Sequence, residues 1–227
     1  MSKYQALFAV ACAGLLAACS SGESSDAGAG SGSVDIAKIS EVKGSFGSDF
    51  KVTDVPTTGI DKKVLAAQKL PEGMKFDPAD CAAFAAGQVL PADIEGNMAA
   101  VTAEGAGQRF IAIAMQTSTE IPVNAPTDNC HKVSFAGGTL RGTVEVVPAP
   151  QIGGIQTLGV HRVLQARING RPQTGEIYNY LAHFGDRQVI VTANPLVLPG
   201  KPPVPVDIAR AEKLLVDAVA AVRAESS

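Results

Sequence analysis

The middle of the chain, residues 97–194, consists of short apolar or alternating segments, most of them separated by turns that contain glycine. Such segments are typical of β-strands, and short glycine-containing turns join strands that run antiparallel. This chain is therefore expected to build its core on an antiparallel sheet. Residues 110–115 are apolar at every position, which predicts a strand buried on both faces. The predicted strands are residues 50–55, 97–104, 108–116, 131–136, 140–147, 158–168, 174–184 and 188–194.

The turn at Gly185 and Asp186 predicts the register of the last hairpin. With two residues in the turn, Phe184 lies opposite Arg187 and Tyr180 lies opposite Val191. Because side chains alternate along a strand, one face of this hairpin is apolar with two tyrosines, and the other is mixed. The first face has Tyr178, Tyr180, Ala182, Val189 and Val191, and the second has Asn179, His183 and Thr192.

Helices are predicted before the main strand region. Apolar residues recur at intervals of three and four after Asp35, and a second helix is expected to begin at Asp77 and Pro78. Asp77 would cap that helix and Pro78 would occupy its first position, so that Cys81, Phe84 and Ala85 share one face. A further short helix is predicted at residues 62–68.

A last helix is predicted from Asp207 to about Arg223, after a proline-rich connector at residues 195–205. Its apolar stripe, which we expect to pack on the sheet, consists of Ile208, Ala211, Leu215, Ala218 and Val222. Helices, then hairpin-linked strands, then a helix is the order of an α+β fold. We predict one α+β domain over residues 35–227, a largely antiparallel sheet of short hairpin-linked strands packed with N-terminal helices and a C-terminal helix.

The N terminus has the layout of a bacterial lipoprotein signal peptide. Lys3 is followed by a mostly apolar run, too short for a membrane span of roughly 20 residues. The segment Leu16-Ala17-Ala18-Cys19 resembles a lipobox, in which the cysteine thiol is acylated before cleavage. We expect residues 1–18 to be removed, Cys19 to be lipidated, and residues 19–34 to act as a flexible Gly/Ser tether. The alternative is an ordinary signal peptide in which Cys19 has no such role.

This N terminus predicts an extracytoplasmic protein, anchored to the outer face of the plasma membrane by lipidated Cys19. The membrane would thus be its partner through the lipid. Loss of Lys3 takes the formal net charge from −3 for the full sequence to −4 for the mature chain. Since nucleic-acid binding needs a basic stripe, which is missing, we expect no nucleic-acid partner.

The cysteines predict one disulfide. Of the four cysteines, Cys12 would leave with the signal peptide and Cys19 would carry lipid, which leaves Cys81 and Cys130. In an oxidising compartment two remaining cysteines are most simply joined to each other. Closing a loop of about 50 residues would contribute about 4 kcal/mol in the chain-entropy model. The alternative, a reactive thiol pair, would favour a Cys-x-x-Cys spacing, which this sequence does not have.

The sequence lacks the familiar catalytic motifs. It has no Gly-x-Ser-x-Gly, no His-Glu-x-x-His, no phosphate-binding glycine loop and no dinucleotide fingerprint. We therefore expect a protein that is not an enzyme and uses no cofactor. His161 and His183 are predicted to be near-diagonal neighbours on one sheet face, where an acidic third ligand would complete a zinc site. Spacing places no acidic residue there, so no metal is expected.

Tyr178 and Tyr180, with His161 and His183, are the candidate ligand-binding residues. An aromatic ring with a polar tip suits the wall of a ligand cleft. With only three tyrosines and no tryptophan in the chain, two tyrosines on one strand face stand out. The alternative is ordinary core packing of the tyrosines beneath the C-terminal helix.

Four segments resemble a family of uncharacterised mycobacterial lipoproteins, over nearly the whole mature chain from about Asp35 to Arg223. These are residues 50–60, 76–81, 158–163 and 178–184. More distantly, the layout is similar to the extracellular sensor domain of PknH-type receptor kinases. That resemblance implies an antiparallel sheet flanked by helices, with a cleft for an unknown ligand. It provides no catalytic residues to transfer, and the sensor domain has two disulfides where this chain can form one.

The leading functional hypothesis is a lipid-anchored, non-enzymatic binding or sensor-like domain that takes a small or lipidic ligand in a cleft of the sheet. A second is an accessory protein that binds another envelope protein, which predicts an exposed apolar patch. A third is an unrecognised hydrolase, which needs His161 or His183 beside a Ser, Asp or Glu at hydrogen-bonding distance.

Overall fold

The computed structural model describes residues 35–60, 73–87, 91, 94–168, 171–197 and 202–223. The predicted signal peptide, Cys19, the tether and the predicted helix at 62–68 lie outside these residues. The described residues form a nine-stranded sheet in the order β1-β3-β4-β9-β8-β7-β6-β5-β2. Its strands are β1 (Phe50–Gly59), β2 (Lys75–Asp77), β3 (Gly96–Gly105), β4 (Gln108–Thr117), β5 (Lys132–Gly137), β6 (Leu140–Val147), β7 (Gln156–Ile168), β8 (Arg171–Phe184) and β9 (Arg187–Pro195).

Every strand pair in this sheet is antiparallel, so the predicted α+β fold class is confirmed. The predicted register of the last hairpin is confirmed as well, with Phe184 opposite Arg187 and Tyr180 opposite Val191. Gly185 in that turn has a φ of +67°, a left-handed conformation that glycine adopts without steric cost. The β4–β9 and β2–β5 pairs join strands distant in sequence.

Two helices, α2 (Ile208–Arg223) and a 3₁₀ helix (Ile36–Ser45), cover one face of the sheet, which we call the α2 face. Carboxylate oxygens cap both, since Asp35 accepts a hydrogen bond from the Ala37 amide and Asp207 accepts one from the Arg210 amide. Buried core residues of this face include Ile39, Phe110, Tyr180, Val191, Leu215 and Val222.

The stripe predicted for α2 is buried from Ala211 onwards, and Leu214 and Val219 extend it. Ile208 is an exception, with 40% of its surface exposed, because it is the first residue of the helix and burial begins one turn later. The helix therefore contacts the sheet through its central and C-terminal turns.

A second core lies on the opposite face, which we call the disulfide face. Here a 3₁₀ turn, Ala79–Cys81, continues into the short helix α1 (Ala82–Ala86). The Cys81–Cys130 disulfide joins this helix to the chain just before β5. Its buried residues are Cys81, Phe84, Ala85, Cys130, Val133, Phe135, Val144 and Val160.

The predicted start of that helix was wrong. Asp77 is the last residue of β2 and pairs with Ser134, and Pro78 is extended, with no side-chain cap on the helix. Sheet pairing holds Asp77 extended, and the following proline disfavours a helical conformation at Asp77 in any case. The expectation that Cys81, Phe84 and Ala85 face inward together is confirmed.

The two cores lie on opposite faces and over different strands. The helix α2 contacts β4, β8 and β9, and the 3₁₀ helix contacts β1, β3 and β4. The disulfide core instead involves side chains of β5, β6 and β7. The prediction that residues 110–115 are buried on both faces is therefore only partly confirmed. Phe110, Ala112 and Ala114 are buried on the α2 face, whereas on the other face Met115 is buried and Ile111 and Ile113 are half-buried. Because the two cores lie over different strands, neither α2 nor the 3₁₀ helix covers the α2 face of β2, β5, β6 and β7.

Candidate ligand-binding groove

A cavity of about 510 Å³ lies on this part of the sheet. Strand register and alternation place most of its side chains on the α2 face, where they line a groove. We call this the sheet groove, and define it by Lys75, Asp77, Ser134, Ala136, Arg141, Thr143, Val163 and Gln165.

Cross-strand pairing arranges the groove in rows. The first row runs from β2 to β8 through Lys75, Ala136, Arg141, Gln165 and Thr174. The second row, two residues further along each strand, runs through Asp77, Ser134, Thr143, Val163 and Glu176. Directly opposed side chains have Cβ atoms about 5 Å apart, so each row is a continuous contact surface.

A second cavity, of about 640 Å³, adjoins the first and shares Ala136, Arg141 and Gln165 with it. It extends the groove towards the ends of the β5–β6 and β7–β8 hairpins, past Arg167 and Thr174. Volumes of this size fall within the range of small-molecule sites. The two cavities together offer one elongated site.

Six of the eight residues that define the groove have polar side chains, although most of the surface that lines the cavity is apolar. Arg141 donates a hydrogen bond from Nε to Gln165 Oε1 at 2.8 Å, which fixes the guanidinium across the groove. Hydroxyl groups come from Ser134 and Thr143, and a carboxylate comes from Asp77. Neither Lys75 nor Arg141 forms an ion pair with any described residue. The groove therefore presents donors and acceptors that are free to bind a polar ligand.

Next to the groove, a third row of cross-strand pairs contains two stacked rings. His161 lies opposite Tyr178, with ring centroids 4.1 Å apart and planes 12° apart. His161 Nε2 lies 3.3 Å from Glu176 Oε2. Burial, and then the charges of Glu176 and Glu145, raise the pKa of Tyr178, so its hydroxyl stays protonated at neutral pH. The pair forms a wall between the groove and the helix-covered core.

Tyr180 lies inside that core and has no exposed surface. Its hydroxyl has no hydrogen-bond partner among the described residues. Burial, with the charges of Glu212 and Tyr178, raises the pKa of Tyr180 to about 12. The structure thus packs Tyr180 beneath α2, the alternative stated for it above, and only Tyr178 of the two tyrosines adjoins the groove.

His183 does not share a face with His161, so the predicted neighbourhood of the two histidines was wrong. With an even number of residues in the β7–β8 turn, odd-numbered residues of β7 lie opposite even-numbered residues of β8, as His161 lies opposite Tyr178. His183 points to the disulfide face, opposite Gln156 and Gln188. There its Nε2 lies 3.6 Å from Glu120 Oε1.

The sequence analysis singled out none of the eight residues that define the groove; of its candidates, Tyr178 and His161 lie at the border of the groove. Lys75 and Asp77 belong to β2, a three-residue strand too short to show alternation. Their position beside Ser134 and Ala136 depends on the β2–β5 pairing, which joins segments far apart in sequence. The alternation of β5 and β6 was the one usable signal, because it places Ser134, Ala136, Arg141 and Thr143 at polar-face positions.

Within the described residues, no group of three or more His, Cys, Asp or Glu side chains is arranged to hold a metal ion. None of the described helices combines the length and the apolar character that crossing a membrane requires.

Two solved structures are similar to this chain, and the first of them shares its fold. An X-ray structure of an uncharacterised protein from Mycobacterium smegmatis, the Rv0999 ortholog, is 55% identical, with a TM-score of 0.80 over 84% of this chain and 98% of that chain. The extracellular domain of PknH from Mycobacterium tuberculosis is 11% identical, with a TM-score of 0.37 over 83% and 91% of the two chains. No curated protein matches. Both predicted resemblances are confirmed as similarities. A sequence profile described as a domain of unknown function, DUF5642, matches residues 35–223, and the chain belongs to this family.

Proposed function

We propose that this protein is a lipid-anchored, extracytoplasmic binding domain that takes a small polar ligand in the sheet groove and performs no chemistry on it. The observation that carries the proposal is the cavity of about 510 Å³, whose lining includes Lys75, Asp77 and Arg141, three charged groups without an ion-pair partner among the described residues. These groups face open space, and apart from Arg141 Nε, which donates to Gln165, their donors and acceptors remain available to a ligand.

A hydrolase was expected to place His161 or His183 beside a Ser, Asp or Glu, and His161 Nε2 does lie 3.3 Å from Glu176 Oε2. The position of the groove serine, Ser134, nevertheless argues against hydrolysis. Ser134 lies on the second row and His161 on the third, with β6 between their strands. Strand spacing puts their Cα atoms on the order of 10 Å apart, beyond the reach of a direct hydrogen bond between hydroxyl and imidazole. Stacking on Tyr178 and the contact with Glu176 further hold the imidazole at the border of the groove.

A cavity-filling substitution tests this proposal. Ala136 is exposed at the centre of the groove, so Ala136→Trp would fill the space with an indole ring. Ala220→Trp is the matched control, because Ala220 is exposed on α2 and away from the groove residues. The acylated protein, purified from membranes of an actinobacterial host, is examined by native mass spectrometry and solvent extraction.

We expect a discrete non-covalent adduct with the wild-type protein and with Ala220→Trp, and its loss from Ala136→Trp. An adduct retained by Ala136→Trp would contradict the groove as the site. The absence of any adduct from all three proteins would contradict the carrier role.

The absence of any adduct would favour the other candidate function, binding to another envelope protein. One observation supports it: on the disulfide face an apolar row crosses the strands β4, β9 and β8, with half-buried side chains that belong to neither core. These are Ile113, Ile190 and Leu181.

A further inference from the structure

We propose that the first row of the sheet groove is a subsite for an anionic group, a phosphate or a carboxylate, which binds over Ala136 between Lys75 and Arg141. The inference rests on the proposed binding function and names the chemistry of the ligand.

The backbone register creates the subsite. Ala136 pairs with Lys75 on one side and with Arg141 on the other, so two cations flank one methyl group. Adjacent strands are about 4.8 Å apart, which places the Cα atoms of Lys75 and Arg141 about 10 Å from each other. Both side chains are long enough to converge on a group of three or four oxygen atoms above Ala136. A larger residue at position 136 would occupy that volume.

The hydrogen bonds of Arg141 leave its outer edge available. Nε donates to Gln165 Oε1 at 2.8 Å, which orients the guanidinium and leaves the two terminal nitrogen atoms unused by any described ion pair. A guanidinium presents these donors in a planar fork that matches the oxygen atoms of carboxylate and phosphate. The Ser134 hydroxyl, one row along β5, supplies a further donor.

The charge of the groove is opposite to that of the whole chain. Two cations and one carboxylate, Asp77, line the first cavity, and Arg167 adds a cation in the adjoining one. Glu176, at the end of the second row, adds a second carboxylate and leaves an excess of one positive charge. The full chain has a net charge of −3, so the positive charge of the groove differs in sign from the average charge of the chain. Asp77 lies beside Ser134 on the second row. Its negative charge repels a second anionic group of the ligand and so limits the subsite to one such group.

The same chemistry can come from a free anion or from the head group of an anionic lipid, and the test separates the two. The acylated protein is labelled with ¹³C at alanine methyl groups and held in phosphatidylcholine nanodiscs, where the Ala136 signal reports the subsite and the Ala220 signal is the internal control. Inorganic phosphate is titrated at constant ionic strength. In parallel, a sample is prepared in nanodiscs with about one fifth phosphatidylglycerol.

We expect a saturable shift of the Ala136 signal with at least one of the two probes, and no shift at Ala220. A shift with phosphate identifies a free anion, and a shift with phosphatidylglycerol alone identifies a lipid head group. Arg141→Gln and Lys75→Gln should each weaken binding about tenfold, which corresponds to about 1.4 kcal/mol, because each removes one charged donor to the anion. Lys51→Gln, which removes an exposed cation from edge strand β1, is the matched control and should bind normally. Asp77→Asn should bind more tightly.

No shift with either probe, or a shift that survives both Arg141→Gln and Lys75→Gln, would overturn the anionic subsite. The proposed function fails by a different result, an adduct that persists in Ala136→Trp. A neutral adduct that is lost from Ala136→Trp but retained by Arg141→Gln would keep the groove and remove the anionic subsite alone.

Discussion

Two tyrosines two residues apart on one strand have different environments. Tyr178 stacks on His161 beside the groove, and Tyr180 is fully buried beneath α2. Alternation along β8 was sufficient to place both on one face, but not to say which part of that face a helix covers. The difference follows from the position of α2, which contacts β8 and β9 and lies over the Tyr180 row.

Tyr180 makes a specific prediction about pH. Its pKa is raised to about 12 in the folded protein against about 10 in the unfolded chain, because burial disfavours the phenolate. Its neutral form therefore contributes stability that is fully present below pH 10 and is lost as the pH rises from 10 through 12. Tyr180→Phe keeps the ring and removes the ionising group together with a buried hydroxyl that has no described partner.

We expect Tyr180→Phe to be as stable as wild type or about 1 kcal/mol more stable at pH 8, and to lose less stability between pH 8 and pH 11. Urea unfolding at the two pH values measures both effects. A steeper loss of stability in the variant than in the wild type would show that Tyr180 is not the group responsible.

At the scale of elements, the short helix α1 depends on connections to other parts of the chain. The disulfide joins Cys81 to Cys130, and Asn124 Nδ2 donates to the Ala83 and Gly87 carbonyls. Arg162 Nη2 donates to the Ala85 carbonyl from β7. A five-residue helix has little stability of its own, so these contacts hold it on the disulfide face.

Replacing both cysteines, Cys81→Ser with Cys130→Ser, should therefore destabilise the protein. The disulfide joins residues 49 apart, and in the chain-entropy model its loss costs about 4 kcal/mol. We expect a lower urea midpoint and faster amide hydrogen exchange in α1, with the exchange rates of α2 less affected. A loss below about 1 kcal/mol would mean that the native contacts of α1 suffice without the covalent bond.

At the scale of the whole molecule, the described domain and its predicted lipid anchor belong to different parts of the chain. The described domain begins at Asp35, and the residues that would attach it to a membrane precede it. A lipid on Cys19 followed by a Gly/Ser tether would keep the groove close to the membrane surface without fixing its orientation. Such an anchor would therefore affect which ligands reach the groove.

Cys19→Ser in the full-length protein tests the anchor. We expect the variant to lose the acyl mass and to leave the membrane fraction, because a serine hydroxyl cannot form the thioether. Cys12→Ser is the matched control, since Cys12 would be removed with the signal peptide, and it should remain acylated and in the membrane fraction. Intact mass spectrometry and cell fractionation measure both properties. Membrane retention of Cys19→Ser with unchanged mass would contradict lipidation.

The sequence by itself determined eight of the nine strands of the described sheet, the register of the last hairpin and the inward face of Cys81, Phe84 and Ala85. These features depend on alternation, turn length and helical spacing, which are properties of short stretches of chain. The bounds of the C-terminal helix were predicted nearly to the residue, because its apolar stripe and its cap are local signals.

Only the tertiary structure decided where the groove lies and which residues line it. The row of Lys75, Ala136 and Arg141 exists because β2, at the edge of the sheet, pairs with β5 across a large separation in sequence. The groove is open because the two cores cover different strands on opposite faces, an outcome of how whole elements pack and not of any local pattern. His161 and His183 were separated for the same reason, since the face that each residue occupies depends on the pairing of β7 with β8.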